Sequence, residues 1–281
     1  MTQRRKAAAL HAPKPAARKA APPKLLVEER RRLIVEQIEQ QGRVTVEQLV
    51  ERFGISAVTI RADLEALARG GAIARSHGGA LPAAPPSSQM DTPLTIKETR
   101  RLAEKRRIGQ AAAKLIKDGE TIILDSGSTT VEIARQIRQR KWESLTVITN
   151  ALNIALELSG LPTVRVMMLG GLLRQTSYSL AGPDAEQALA KLSADRLFLG
   201  VDGLDPEVGV TTPDPQEATL NALMIRVSRE TVAVLDASKF GQRSLSVIAP
   251  VASLGMVISD TAAPEALVAA LQKQGVRTLL V

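Results

Sequence analysis

Ile122-Ile123-Leu124-Asp125-Ser126-Gly127-Ser128-Thr129-Thr130 is the stretch whose reading decides how most of this chain folds. Three consecutive aliphatic residues, led by Thr121, predict a short strand buried on both faces, as in a parallel sheet covered by helices. The apolar run stops at Asp125. A turn of small residues then feeds a polar and aliphatic segment, 130–139, that predicts a helix. A strand that delivers a Gly/Ser/Thr loop to a helix start aims backbone N–H groups and hydroxyls at one point, within the positive end of the helix dipole. Such a point suits a phosphate or a carboxylate. The same run also fits an ordinary strand–helix turn whose hydroxyls serve as caps.

Downstream, strand signals at 145–149, 164–169, 196–201, 231–235, 256–259 and 277–281 alternate with helical patterns at 153–159, 183–192, 216–229 and 264–274. A helix at 103–117 precedes them. This alternation predicts a mostly parallel α/β sheet covered on both faces, with ligands at the carboxyl ends of its strands. Polar features gather at those ends. Asp125 and residues 126–130 follow the first strand, and Asn150 follows the second. Gly170 and Gly171 follow the third with Arg174 close behind, and Asp202 and Gly203 follow the fourth. Asp236, Ser238 and Lys239 follow the fifth. Any one of these has a plain structural use, because glycines turn and Asp and Asn cap. Their recurrence at successive strand ends predicts a pocket for a phosphorylated polyol.

Upstream, residues 28–41 carry Leu33, Ile34 and Ile38 among charges, an amphipathic helix closed by Gly42. Thr45 with Gln48 three residues on has the capping-box pattern, and Val46, Leu49, Val50 and Phe53 repeat at helical spacing. Gly54-Ile55 makes a turn, Ser56 is a suitable N-cap, and a third helix buries Ile60, Leu64 and Leu67. Gly70-Gly71 ends it, and 73–75 before Gly78-Gly79 predicts a short β-wing. Two short helices joined by a tight turn, the second exposing Thr and Arg near its start, suit a major-groove reader. The candidate DNA contacts are Arg43, Thr45, Ser56, Ala57, Val58, Thr59, Arg61 and Ala62, with Arg75 and His77 from the wing. Residues 27–82 hold eight Arg and eight acids, so DNA affinity depends on where the arginines sit or on the basic tail. A purely structural three-helix bundle fits the same pattern.

The charge is unevenly placed. Residues 1–26 hold seven Lys/Arg and no acid, which leaves one positive charge of the net +8 for the rest of the chain. That Ala/Pro/Lys-rich segment lacks apolar periodicity, so it is expected to be a disordered tail able to lie along phosphates or merely to solubilise. Pro82, Pro85, Pro86 and Pro93 mark a semi-stiff linker. The expected organisation is a tail (1–26), a winged helix-turn-helix (27–82), a linker (83–94) and an α/β domain (95–281). With no Cys and only His11 and His77, neither disulfides nor a thiolate or imidazole metal site is expected. No apolar run reaches the ~18 residues of a membrane span, and a cytoplasmic location is expected.

The run from Val44 to Leu49 and then Phe53-Gly54-Ile55-Ser56-Ala57-Val58-Thr59-Ile60-Arg61-Ala62-Asp63-Leu64 resembles the winged helix-turn-helix of the DeoR family of bacterial transcriptional regulators. So does Arg75-Ser76-His77-Gly78-Gly79-Ala80. In that family a second Arg stands where this chain has Ala62. Asp63, awkward beside DNA, is expected to cap or pair locally with a nearby Arg. The resemblance extends through Val147-Ile148-Thr149-Asn150, Leu169-Gly170-Gly171, Phe198-Leu199-Gly200-Val201-Asp202-Gly203 and Asp236-Ala237-Ser238-Lys239-Phe240-Gly241 to the family's sugar-phosphate-sensing domain. That domain is related in fold to ribose-5-phosphate isomerase. Segments 124–135 and 272–281 look most like the family's N-acetylgalactosamine-type repressors.

The resemblance implies a repressor of a sugar or amino-sugar operon that binds double-stranded operator DNA as a homodimer or homotetramer. A sugar phosphate would release it, with no cofactor, metal or membrane. Ser126, Gly127, Ser128, Thr129 and Thr130 would hold the phosphate, Lys239 and Arg174 would supply cation, and Asp202, Asn150 and Glu217 would bind sugar hydroxyls. Two alternatives remain: an isomerase-like enzyme, and an architectural DNA-binding protein with a vestigial pocket. Isomerase relatives carry Asp-Gly-Ala-Asp and Glu-Lys. This chain has Asp202-Gly203-Leu204-Asp205 and Glu217-Ala218, an incomplete set for moving a C–H proton.

Overall fold

A computed structural model describes residues 26–76, 78–82 and 91–281. The expected basic tail up to residue 25, His77 and most of the linker lie outside the described residues.

The N-terminal unit is built on local signals. Helix α1 (Val27–Gln41) stops at Gly42, whose left-handed backbone (φ 70°) lets its N–H reach the Ile38 carbonyl. Strand β1 (Val44–Thr45) leads into α2 (Val46–Phe53), where Thr45 and Gln48 make both bonds of a capping box. Helix α3 (Ala57–Arg69) starts at Ser56, whose hydroxyl accepts from the Thr59 N–H. Strands β2 (Ile73–Ser76) and β3 (Gly79–Pro82) form the wing, and β3 also pairs with β1. Ile34, Ile38, Leu49, Ile60 and Leu64 are fully buried in the centre of this unit. A winged helix-turn-helix results.

A short helix, α4 (Leu94–Thr99), and then α5 (Leu102–Ala113) lead into the second unit. Its chain runs β4 (Thr121–Leu124), α6 (Ser128–Gln139), β5 (Leu145–Thr149), α7 (Leu152–Leu158) and β6 (Val164–Met168). A hairpin follows, β7 (Leu172–Arg174) and β8 (Ser179–Ala181), then α8 (Pro183–Leu189) and β9 (Ala194–Gly200). After β10 (Gly203–Asp205), β11 (Gly209–Thr212) and α9 (Pro215–Val227) come β12 (Ser228–Val234), β13 (Ser246–Ala249) and β14 (Met256–Ser259). The chain closes with α10 (Glu265–Lys273) and β15 (Arg277–Leu280).

Seven of these strands form one sheet in the order β15-β14-β12-β9-β4-β5-β6, parallel at every pairing. The period-two geometry of a strand explains why the central strands of this sheet carry consecutive apolar residues. Ile122 and Leu124 of β4 enter the core formed with α5 and α6, whereas Ile123 between them enters the core on the opposite face. Phe198 of β9 joins the first core, and Leu197 and Leu199 join the second. Each seven-stranded-sheet strand matches its sequence signal to within a few residues. The antiparallel pieces β7–β8 and β10-β11-β13, with α4, were not foreseen. They are too short for any period to be visible.

Candidate functional site

The outward side of α3 exposes Val58, Arg61 and Ala62, with Arg43 and Arg75 exposed beside it on the same unit. Val58 is 74% exposed, an unusual place for a β-branched residue on a helix. Not every candidate contact projects freely. The Thr59 hydroxyl lies 2.9 Å from that of Ser56, so both serve the helix start. Thr45 is engaged in the α2 cap, and Ala57 packs half-buried against the core. Asp63 corrects the expectation of a local partner. It is 2% exposed and takes Arg30 Nε at 2.6 Å and Arg31 Nε at 3.0 Å, both from α1. This carboxylate fastens the recognition helix to the helix behind it.

In the second unit a cleft of about 370 Å³ opens at the carboxyl ends of β4, β9 and β12. Its floor is the small-residue loop after β4. Thr130, fully buried, shapes that loop. Its hydroxyl accepts from the Gly127 N–H at 2.9 Å and lies 3.0 Å from the Asp125 carbonyl. Gly127 and Gly200 meet across neighbouring strands. A Cβ on Gly200 would sit 3.3 Å from the Gly127 Cα, so the bare backbones fit where side chains would press the loop outward. Ser126, Ser128 and Thr129 thereby line the cleft at the N-terminus of α6.

Two buried polar atoms in the cleft wall have no hydrogen-bond partner, Asp125 Oδ1 and Ser126 Oγ, and Ser244 Oγ is a third. Buried polar groups are ordinarily satisfied, so these three atoms leave hydrogen-bonding capacity in the cleft wall. Asp125 Oδ2 accepts from the Gly200 N–H at 2.8 Å. Burial, and then the nearby Glu217 charge, push the Asp125 carboxyl well above its ordinary range. Burial and Asp202 raise Glu217 to about 7. Asp202 goes the other way: burial would raise it, but Lys97 and Lys239 outweigh that and hold it at about 2. Lys97 Nζ lies 2.9 Å and Lys239 Nζ 3.3 Å from that carboxylate. For Lys97, burial would lower the ammonium, but Asp202 and Glu217 keep it above the ordinary value.

Asp125, Ser126, Gly127, Ser128, Thr129, Asp202, Glu217 and Lys239 come together in this cleft. Six other candidates do not line it. Thr130 acts from beneath the loop. Asn150 is turned to the Leu180 carbonyl at 3.0 Å. Gly170 and Gly171 precede the β7–β8 hairpin, and Gly203 lies against the backbone of Gln242, where a Cβ would come within 2.3 Å of its carbonyl oxygen. Arg174 stands behind the cleft wall, held by three carboxylates, Asp91 at 2.7 Å, Asp214 at 3.2 Å and the cleft-lining Glu217 at 2.6 Å. Besides Lys239, the cleft's cations come from residues that carried no site signal in the sequence. Lys97, Arg100, Arg101 and Lys105 all line it, and all stand on or beside α4 and α5. A dense run of basic residues after the Pro-rich stretch was the only signal available for them. Among the described residues no cluster of His, Cys, Asp and Glu could hold a metal ion, and no helix is long and apolar enough to cross a membrane.

A DNA-reading unit joined to a polar, cation-lined cleft defines a ligand-responsive regulator. The chain matches the DeoR-like helix-turn-helix domain over residues 30–84 and the DeoR C-terminal sensor domain over residues 100–261. It belongs to the DeoR family of transcriptional regulators. It is 40% identical to a putative aga operon transcriptional repressor of Escherichia coli O157:H7, over 88% of this chain and 91% of that one. It is 34% identical to the transcriptional repressor AccR of Agrobacterium fabrum, over 81% and 87% of the two chains. Against the glycerol-3-phosphate regulon repressor of Escherichia coli K12 the identity is 32%, over 82% and 90%. Among solved structures, ribose 5-phosphate isomerase A of Methanocaldococcus jannaschii aligns with a TM-score of 0.37 at 18% identity, over 50% of this chain and 54% of that one.

Proposed function

We propose that this protein represses transcription by binding operator DNA through α3 and lets go when a phosphorylated sugar enters the cleft. The observation that carries the ligand half is the pair of buried, partnerless polar atoms, Asp125 Oδ1 and Ser126 Oγ, at the start of α6. Backbone N–H groups at that helix start and the hydroxyls of Ser126, Ser128 and Thr129 would hold the phosphate. Lys239 and Lys97 would supply cation, and Asp125, Asp202 and Glu217 would bind sugar hydroxyls. The protein would act in the cytoplasm as a dimer or tetramer, because two readers on a palindrome add their contacts. Binding without turnover is favoured by Asp205, the second acid of the isomerase-like run. It is held by Arg243 at 2.8 Å and does not line the cleft.

The test is operator affinity of wild type and Ser128→Asp, with and without a panel of phosphates. The panel is glucose, galactose, glucosamine and galactosamine 6-phosphates, glycerol 3-phosphate and inorganic phosphate. An Asp at that position puts negative charge where the phosphate must sit, so the variant should bind the operator normally and resist release. Release at wild-type concentrations would show that the loop is only a turn.

A further inference from the structure

Helix α4 belongs to both units at once. Ile96, 6% exposed, is buried among the core residues of the DNA-reading unit. Its Cδ1 lies 3.6 Å from where a Cβ on Gly71 would be, at the turn that ends the recognition helix. Arg100, just past α4, donates from Nη2 to the Gly71 carbonyl at 3.1 Å. The next residue after Ile96 points the other way: Lys97 reaches into the cleft and pairs with Asp202, 105 residues away in sequence. One turn of helix therefore carries the reader's packing on one side and a cleft cation on the other.

The ends of this segment are tied, and its exit is strained. The Leu94 N–H donates to the Thr176 carbonyl at 2.7 Å. Lys105, buried, donates to the carbonyls of Lys97 and Arg100. Arg101 holds a left-handed backbone (φ 49°), a conformation non-glycine residues adopt only when their surroundings impose it, and its guanidinium faces Asp236 in the cleft at 3.6 Å. A segment so fastened moves as a unit.

We propose that α4 is the element through which effector binding acts on the DNA reader, with Lys97 exchanging the Asp202 carboxylate for the effector's phosphate. This rests on the reading of the cleft as a sugar-phosphate site. A phosphate seated at the start of α6 competes with Asp202 for the same ammonium. Lys105 holds the carbonyls of Lys97 and Arg100, so the pull on Lys97 is passed to the backbone of α4 and to Ile96 on its adjoining face. The shift reaches Gly71 and the end of α3, and the reader leaves the geometry that fits a half-site. Because coupling between two sites is reciprocal, operator DNA must weaken effector binding by the same factor.

The experiment uses the full chain, an operator fragment selected with the wild-type protein, and the tightest binder of the phosphate panel named above. Its readouts are operator Kd with and without the phosphate, and phosphate Kd with and without operator. For wild type both ratios should be equal and about tenfold or more. In Ile96→Val and Ile96→Ala both ratios should fall stepwise toward one, while phosphate affinity in the absence of DNA stays within about threefold, because Ile96 does not line the cleft. Lys97→Met should also bring both ratios toward one, and phosphate binding itself should weaken. Wild-type ratios in Ile96→Ala would overturn the proposal. If that variant fails to fold, wild-type ratios in both Ile96→Val and Lys97→Met overturn it. Should no member of the panel bind wild type, the cleft reading fails and this inference with it. Binding and release in wild type with unchanged variants sinks the α4 route alone.

Discussion

The DNA-reading face and the effector cleft are built on opposite plans. Arg61, Ala62 and Val58 come from one helix, stand in solvent, and need nothing distant to point where they point. The cleft draws its wall from α4, α5, the loops after β4, β9 and β12, and the start of α9, and its charges are engaged with one another. Asp202 is held by two lysines, and Glu217 shares Arg174 with Asp91 and Asp214. A face made of exposed side chains can change its specificity one residue at a time. A cleft made of paired charges answers as a whole, and that makes it suited to sensing.

The sharpest way to break this comparison is at Asp63, a buried acid of the reader with distant partners. Asp63→Ala leaves Arg30 and Arg31 facing a vacated site, and removing one partner of a buried pair costs about 3–5 kcal/mol. Thermal or urea melts should show the DNA-reading unit unfolding first. A stability within experimental error of wild type would mean the pair is dispensable.

Glu217→Gln tests the cleft side. Glu217 is raised to about 7 in the folded protein against an ordinary 4.5. The folded state therefore prefers the protonated form. Stability falls as pH rises from the unfolded value through about 7, then levels off. One pKa unit is worth about 1.4 kcal/mol, so the loss comes to about 3 kcal/mol. Gln keeps the shape and has no proton to lose. The gap in melting temperature between variant and wild type should widen between about pH 5 and pH 8, and parallel curves would refute the burial of this charge.

A smaller effect is expected on the reading face. Arg61→Ala should leave melting and phosphate binding unchanged, since Arg61 is exposed. It should weaken specific operator binding by about 1–3 kcal/mol, the size of a direct base contact. A wild-type footprint would mean that another residue does the reading. The smallest change belongs to Thr45→Ala, which removes one bond of the α2 cap and costs about 1 kcal/mol of stability. Its effect should be confined to the DNA-reading unit, and loss of effector response in this variant would contradict the separation of a locally built reader from a globally built cleft.

Much of the fold was legible because its signals are local. The capping box at Thr45, the stop at Gly42 and the cap at Ser56 each span four or five residues, and each forms as its spacing predicts. The central strands of the large sheet announced themselves as apolar runs because both faces are buried there. The candidate cleft residues after β4 could be named from the sequence for a related reason: a strand end, a small-residue loop and a helix start are contiguous. Arg174 could not be placed correctly. A cation behind Gly170-Gly171 suggested the pocket, but the short β7–β8 hairpin turns it toward Asp91, 83 residues back.

Sequence alone determined the family, from motifs spread along the chain, and the local elements, the helix caps and the strand–loop–helix at 121–139, since each of these rests on residues within a few positions of each other. Only the tertiary structure decided which charges meet. Lys97 faces Asp202 and Asp63 faces Arg30 because helices and sheet pack at particular distances, and no periodicity along the chain encodes a separation of 105 or 33 residues. The same holds for α4. Six residues after a Pro-rich stretch carry too little pattern to predict a helix, and its place follows from the apolar surface the DNA-reading unit leaves for Ile96 and from the Leu94 N–H bond to the Thr176 carbonyl.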